Sequence, residues 1–509
     1  MNAEDIIKRF NKSVSYRQNW ENLYSSAYEQ FMPQRSKNFK DSVTDGQRND
    51  NADVVFDSTP LDSLNKFVSK LQTSLVPAQK NWLRLKVGTS LKDKADDLQP
   101  VLDQITDIFF SAIRNSNFDV EASESFYDLA VGTACLMMQE GDFLNPFKFK
   151  TVPLSELYLE KVGNGQYNSI YRKHKVVPMY AQKVWSDAKV SSDMLSDEKE
   201  RDFIEAVVQE KGVWKYYVVF AKGKQTIVER TLRYNPFIVF RWSVMPGEVY
   251  GRGPVLFALP DAKSLNKTKE LILKNASMAV SGAWTCEDDG IVNPDNIKIQ
   301  PNAIIQVSSN GGSNRAATLQ PLRTGTDFNV GDMVLSDLRQ SISNIMFANP
   351  IGPVDQPVKT ATEIEYRQKQ YADEVGAPFG RLQSEFIKPI IQNGLLILDG
   401  LGKIDIKDFR VNEEQIAVDY ASPLSITQNT EDVNKLIKFM EVVAGIFGPQ
   451  TPSMIMNTGV IPTLATKMGI DLNNIKSAEE IEQIKQQAAQ AIQQQMGAED
   501  GAIQQGPEG

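Results

Sequence analysis

Apolar and aromatic residues in the first quarter of the chain recur at intervals of three and four, the spacing that gathers side chains on one face of an α-helix. Trp20, Leu23, Tyr24, Ala27, Tyr28 and Phe31 form one such stripe and predict a helix that ends before Pro33. Residues 35–53 have no period and contain the turn signal Asp45-Gly46, so they read as a loop. A second helix is predicted after Asp57-Ser58-Thr59-Pro60, where N-cap residues precede a proline suited to a first turn. Leu61, Leu64, Val68, Leu71 and Leu75 carry its apolar face up to Pro77. Two more helices are predicted: residues 96–113, with Val101, Ile105, Ile108 and Phe109 buried, and residues 123–138, with Phe126, Leu129 and Ala130 inward.

From about Phe147 to Ser243 the pattern changes to short β-rich runs, at residues 169–177, 213–220, 226–233 and 237–242, with residues 221–224 as a hairpin loop. Gly251-Arg252-Gly253-Pro254 then opens a long helix over 255–280, with Leu256, Leu259, Leu265, Leu271, Ile272 and Met278 apolar. At ~1.5 Å per residue it would span ~39 Å. Residues 282–325 read as a small β-rich insertion with polar loops. A returning helix follows over 327–347, striped by Val330, Val334, Leu338, Ile342 and Ile345. Helix, insertion and helix make a hairpin with an elaborated tip.

The proline-rich run 348–358 must be a loop, and residues 360–401 are strongly helical, with Pro378 and Pro389 expected to kink or offset that helix. Further helices are expected at 431–447 and 462–468. Ser477 and Glu480 form a capping box for a last one reaching Met496, whose weak face of Ile481, Ile484, Ala488 and Ile492 calls for neighbouring copies. Residues 497–509 are expected to be disordered.

A chain of 509 residues suggests about two to four domains, and 41% hydrophobic with 23% charged residues is an ordinary globular balance. The net charge of −9 argues against a protein that wraps nucleic acid with a broad basic face. Two distant cysteines, Cys135 and Cys286, signal neither a disulfide framework nor a thiolate zinc site, and a reducing compartment is the simplest expectation. Residues 1–20 mix charges throughout, and no apolar run of ~18 residues occurs, so a soluble protein made in the cytoplasm, with no membrane partner, is expected.

Signals for chemistry are sparse. The single histidine, His174, has no triad or metal partners and is expected to be an ordinary strand-surface residue. No GxxxxGK[ST] occurs, and Gly251-Arg252-Gly253 lacks the third glycine of a dinucleotide loop, which disfavours an ATP-driven motor. Pro260-Asp261-Ala262-Lys263 and Pro294-Asp295-Asn296-Ile297-Lys298 have a nuclease-like cast. A helix's first turns and a β-turn explain them better. Lys263, Lys267, Lys274, Lys298, Arg315 and Arg323 recur without acidic neighbours along the long helix and its tip, as solvated surface charges or as DNA contacts. No catalytic residue, metal ligand or cofactor is assigned.

Three runs, in order, carry a family resemblance. The first joins residues 20–35 to Val55-Phe56-Asp57-Ser58-Thr59-Pro60, Leu75-Val76-Pro77 and Trp82-Leu83-Arg84-Leu85. The second is Tyr250-Gly251-Arg252-Gly253-Pro254 with residues 258–266, and the third is Lys359-Thr360-Ala361-Thr362-Glu363-Ile364 after the proline-rich loop. Together they resemble the portal, or head-to-tail connector, family of short-tailed, podovirus-type phages across nearly the whole chain. The resemblance implies an α+β portal fold with a wing, a two-helix stem, a β-rich clip and a C-terminal helical crown. The boundaries would be wing 1–253, stem helices 254–280 and 327–347, clip 281–326, tunnel loop 348–359, wing 360–426, crown 427–496 and tail 497–509.

The resemblance further implies a non-enzymatic virion protein. It would form a homo-oligomeric ring of twelve at one capsid vertex, a channel for packaging and ejecting double-stranded DNA. Its other implied partners are the large terminase motor, tail adaptor and nozzle proteins, scaffold and major capsid protein. Expected DNA-channel residues are Pro353, Val354, Asp355, Gln356, Val358 and Lys359 on the tunnel loop, with Lys267 and Lys274 on the stem. Because each fixed phosphate contact adds affinity that would stall sliding, sparse cationic rings on an acidic protein suit passage. Lys298, Gly311, Gly312, Asn314 and Arg315 are the expected motor- and adaptor-docking residues of the clip. The alternatives are a metal-dependent DNA-processing enzyme, which needs a carboxylate cluster, and an internal scaffold or ejection protein, which would lack the helical hairpin.

Overall fold

The computed structural model describes residues 1–34, 55–78, 80–88, 90, 95–163, 166–281, 284–286, 319–321, 328–348, 376, 378–405, 416–420, 438 and 441–442. Contacts divide the chain into two compact units, one of Met1–Lys70, Ser116–Gly352 and Pro378–Ile397, the other of Leu71–Asn115, Pro353–Ala377 and Leu398–Gly509. Helices and sheets are mixed in an α+β arrangement.

In the first unit, helix α1 (Ala3–Phe31) begins far upstream of the stripe that predicts it. Asn2 caps it, its side chain accepting from the Asp5 amide at 2.8 Å, and Ile6, Phe10 and Arg17 extend the inward face. The helix lies on a five-stranded antiparallel sheet of β4 (Leu157–Gly163), β5 (Gln166–Val176), β6 (Arg201–Glu210), β7 (Val213–Phe220) and β8 (Gln225–Leu232), each paired with the next, with the short helices α5 (Ala181–Val184) and α6 (Ser192–Leu195) between β5 and β6. Ile6 and Phe10 pack into a cluster with Tyr171, Ile204, Tyr217 and Val219. Arg17 is buried, its two terminal nitrogens donating to the carbonyls of Leu157 at 2.6 Å and Ser155 at 3.0 Å, with its guanidinium 4.2 Å from the Tyr158 ring. The β7–β8 hairpin turns at the expected place, with Lys224 at φ 47°.

A second sheet of the same unit has the order β3 (Phe147–Val152), β2 (Thr133–Glu140) and β9 (Phe237–Arg241). It corrects the helix expected over 123–138. Helix α4 (Phe118–Val131) stops at Gly132, whose φ of 151° closes it, and the residues beyond form β2. Cys135, Leu136, Met137 and Met138 are all buried because β2 is the central strand, covered on both faces. Such a strand reads as an unbroken apolar run, which periodicity does not separate from a helix.

The five-stranded sheet also corrects the reading of His174. Its side chain is only 10% exposed, and its pKa is pushed down to about 2, chiefly by burial, with Arg172 and Lys150 adding to the effect. It sits in a polar network spanning three strands. Arg172 donates to Glu156 at 2.8 Å and to Glu205 at 3.2 Å, Tyr216 donates to Glu205 at 2.6 Å, and the Trp185 indole donates to Tyr216 at 3.1 Å. Buried charge of this kind is tolerated where each group has a partner.

In the second unit, β1 (Leu83–Val87) pairs antiparallel with β12 (Ile416–Tyr420), and helix α3 (Ala95–Arg114) packs on β1. Trp82, Phe109 and Phe110 meet edge to face. Ile105 and Phe109 are buried, but Val101 is 49% exposed, because Leu102 takes the inward place. Salt bridges Arg84–Asp103 and Lys86–Asp419 flank the strand pair.

Candidate functional site

The long helical hairpin is formed by α7 (Pro254–Ser281) and α8 (Phe328–Ile345), which pack on each other. Between them, β10 (Trp284–Cys286) pairs with β11 (Leu319–Pro321). The start of α7 shows what the Gly251-Arg252-Gly253-Pro254 run does. A Cβ on Gly253 would stand 2.1 Å from the Ala130 carbonyl oxygen, and one on Gly251 would stand 2.3 Å from that of Gly132. The Gly253 amide donates to Val131 O at 2.8 Å, and the Gly251 amide to Thr133 Oγ1 at 2.8 Å. The glycines let two backbones touch where α4 becomes β2, so the run seats the hairpin instead of cradling a phosphate. Tyr250, fully buried, receives the Leu159 amide on its hydroxyl at 3.0 Å, and Arg252 lies 5.0 Å over Trp20 while pairing with Glu248.

Ser341 on α8 donates to Asp261 on α7 at 2.6 Å, and the Cβ position of Gly331 lies 3.0 Å from Ile272 Cδ1. These two contacts fix the hairpin's register. Asp261 therefore serves helix pairing. The inward positions of α8 are Leu335 and Ile342, with Met346 buried just beyond its end; the expected Val334 is exposed, one residue out of step with Leu335. Leu271 on α7 is likewise exposed.

A buried carboxylate ties the chain just before helix α2 (Thr59–Leu75) to this hairpin. Asp57 accepts from the Thr59 amide at 3.0 Å and hydroxyl at 2.6 Å, and from Arg339 at 2.6 and 3.1 Å. Burial pushes its pKa up, but the bonds from Arg339 and Thr59 outweigh that and hold it below the ordinary carboxylate range. Beside it, the Phe56 amide donates to Asn266 Oδ1 at 2.7 Å. The N-cap signal before α2 was readable; its Arg339 partner, hundreds of residues on, was not.

Lys267 and Lys274 stand on the face of α7 turned away from α8, but they are not free of acid as the sequence reading held. Both donate to Glu270, at 2.9 and 2.6 Å, and Glu270's pKa is lowered by Lys274 and Lys267 in turn. The residues lie three and four positions apart, so the helix itself makes the pairs. Three charges thus sum to a single positive one at that level of the hairpin.

Beyond α8, Phe347 takes φ 53°, and the Ala348 amide reaches back to Ser343 O at 2.8 Å, a Schellman end with a phenylalanine in the place favoured by glycine. Lys70 donates to Phe347 O at 2.8 Å, and the ring leans on Phe67 and Trp242. On the far side of residues 349–377, a π-helical turn, Gln383–Ile387, precedes helix α9 (Lys388–Gly400). Pro389 has no N–H for the Glu385 carbonyl, which accounts for the widened turn and for the offset expected there. Glu385 pairs with Arg241 at 2.6 Å, and Phe386 sits 4.4 Å from Phe240 and 5.6 Å from Phe126. Three successive residues, Phe240, Arg241 and Trp242, therefore hold both the exit from α8 and the entry to α9.

Pro353, Val354, Asp355, Gln356, Val358 and Lys359 lie outside the described residues, as do Lys298, Gly311, Gly312, Asn314 and Arg315. Among the described residues there is no group of three His, Cys, Asp or Glu able to hold a metal ion, and no helix long and apolar enough to cross a membrane.

A family model described as bacteriophage head to tail connecting protein matches residues 3–475. The chain belongs to that family. Its role is that of a portal, the connector between phage head and tail. It is 24% identical to the portal protein of Escherichia phage T7 over 86% of this chain and 82% of that one. It is 20% identical to the probable portal protein of Bordetella phage BPP-1 over 98% of this chain and 92% of the relative. Among solved structures, a chain from the neck of an empty gene transfer agent particle aligns with 80% of this chain and 90% of its own length, at 12% identity and a TM-score of 0.36.

Proposed function

We propose that copies of this chain form a closed ring at one capsid vertex, with the α7–α8 hairpins building the wall of a channel that double-stranded DNA traverses. The observation that carries the reading is the long hairpin seated rigidly by Gly251 and Gly253 in a chain of the connector family. The tunnel-loop residues Pro353, Val354, Asp355, Gln356, Val358 and Lys359 would line the narrowest part, with Lys359 supplying a weak cationic ring. Lys267 and Lys274 would add little net charge to the wall, since Glu270 shares them both. The tip residues Lys298, Gly311, Gly312, Asn314 and Arg315 would dock the packaging motor and later the tail adaptor and nozzle. Scaffold and major capsid protein would surround the ring, for which twelve is the expected copy number.

End-on negative-stain images of the purified protein test this: closed rings with a central hole are expected, and a uniform population of monomers would overturn it. Deleting residues 311–314 should block tail docking while rings still form. Charge reversal at Lys359 should impair genome retention in infected cells. Cleavage of DNA in the presence of magnesium or manganese would favour the rival reading, a DNA-processing enzyme.

A further inference from the structure

Strand β9 and the two residues after it meet three chain ends. On the α8 side, the Phe347 ring leans on Trp242 at 6.1 Å. On the α7 side, Ser243 O accepts from the Arg252 amide at 2.7 Å, and Arg241 donates from Nη1 to Val249 O at 3.0 Å. A Cβ on Gly251 would stand 3.0 Å from Arg241 Cβ, so the arginine also lies against the seat of the hairpin. On the α9 side, Arg241 donates to Glu385 from its amide at 3.0 Å, from Nε at 3.1 Å and from Nη2 at 2.6 Å. Arg241 is 11% exposed and Glu385 17%, so water competes little for these bonds.

The planar guanidinium divides its donors. One edge, Nε and Nη2, grips the Glu385 carboxylate in the fork geometry that fixes direction as well as distance, and Nη1 is left to hold the Val249 carbonyl. A second link between the same ends runs through α4, where Phe386 meets Phe118 and Phe126 and the Gly253 backbone meets Ala130. That link is mainly apolar and sets no direction. Glu385 itself sits in the π-helical turn, where Pro389 leaves its carbonyl without an amide, so its side chain supplies much of the local anchorage. We infer that Arg241 is a positioning residue of the channel: it holds the seat of α7 and the entry of α9 in one fixed relation, and load on the α7–α8 hairpin reaches α9 through its guanidinium.

This rests on the channel reading of the hairpin and specifies what steadies it. It also gives the π-helical turn a role, the presentation of Glu385 to the hairpin's seat. Arg241 touches no DNA in this scheme.

The test uses the full-length chain. Glu385→Gln keeps the shape of the side chain, removes its charge and is made on the α9 side alone. Hydrogen exchange read by mass spectrometry should nevertheless speed up about tenfold at residues 249–256 as well as at 383–387. Arg241→Gln should do the same, and the double variant should add nothing further, because either single change already breaks the one link. Arg381→Gln removes the other partner of Glu385, at 3.2 Å, and leaves Arg241 in place, so it should act at residues 383–387 only. Imaging should show rings in every variant, while genome retention in infected cells should fall by about tenfold in Glu385→Gln and in Arg241→Gln. Exchange that changes only at 383–387 in Glu385→Gln would overturn the inference, as would additive effects in the double variant or full genome retention in both single variants. Loss of rings would overturn it too, since Arg241 would then serve folding or assembly as a whole. A wild-type protein that forms no ring would instead overturn the function proposed above, and the exchange pattern would still decide whether Arg241 joins the two ends.

Discussion

Replacing Arg172 by Met should expose how the five-stranded sheet tolerates charge. Arg172 is 6% exposed and Glu205 3%, and the guanidinium is shared between Glu156 and Glu205. Methionine keeps much of the aliphatic volume but leaves Glu205 in the sheet without its guanidinium partner, the Tyr216 hydroxyl remaining as its close donor. Removing one partner of a buried pair costs about 3–5 kcal/mol, against a typical total stability of about 5–15 kcal/mol. Adding Glu205→Gln should return only about half of the loss: a buried pair replaced as a whole is nearly neutral, but Glu156 still lacks its guanidinium partner. Hydrogen exchange read by mass spectrometry on peptides from β5, β6 and β7 gives the local opening energy, without requiring both units to unfold together. A loss below about 1 kcal/mol in the single variant, or no recovery in the double, would refute this account of the network.

Three further outcomes follow from particular contacts. His174 titrates at about 2 when folded and near 6.5 when unfolded, so below pH 6.5 the unfolded chain binds the extra proton and stability falls as pH drops. His174 should contribute about 1.4 kcal/mol of loss per pH unit, and His174→Gln should remove that share, as read by urea titrations between about pH 6.5 and 4.5. Phe386→Ala removes a fully buried ring from the Phe118, Phe126 and Phe240 cluster and should cost about 3–5 kcal/mol in the first unit, seen as faster exchange in β9. Gly253→Ala places a methyl 2.1 Å from a backbone oxygen, so soluble yield should collapse or stability drop by about 3 kcal/mol or more; an alanine variant with wild-type melting would contradict the close approach.

Local order was legible in the chain wherever one residue pattern had one structural meaning. The hairpin helices were predicted over 255–280 and 327–347 and are found at Pro254–Ser281 and Phe328–Ile345, because each long run keeps the helical spacing of its apolar residues, with Pro260 and Gly331 near their N-terminal ends where a breaker is tolerated. The strand at Val213–Phe220, the stop before Pro33 and the offset at Pro389 were readable for the same reason. The family was readable as well, since its marks are short runs in fixed order, and one of them proves to be the glycine contact that seats α7.

Tertiary structure alone decided the rest. Thr133–Glu140 became a strand because β3 and β9 flank it, and no local signal reports neighbours from elsewhere in the chain. His174 looked like a surface residue amid Arg172, Lys173 and Lys175, yet strand pairing turned it inward beside Glu205. Lys267 and Lys274 looked like uncompensated charge, although Glu270 stood within one turn of both; only the side-chain geometry showed the pairs made. Asp57 with Arg339, and Arg241 with Glu385, join residues far apart in the chain, and such pairs exist only after folding has brought them together. Sequence by itself determined the elements and the family, which depend on contacts along the chain. Folding decided which faces are buried and which charges are already matched, because both depend on residues brought together from distant parts of the chain.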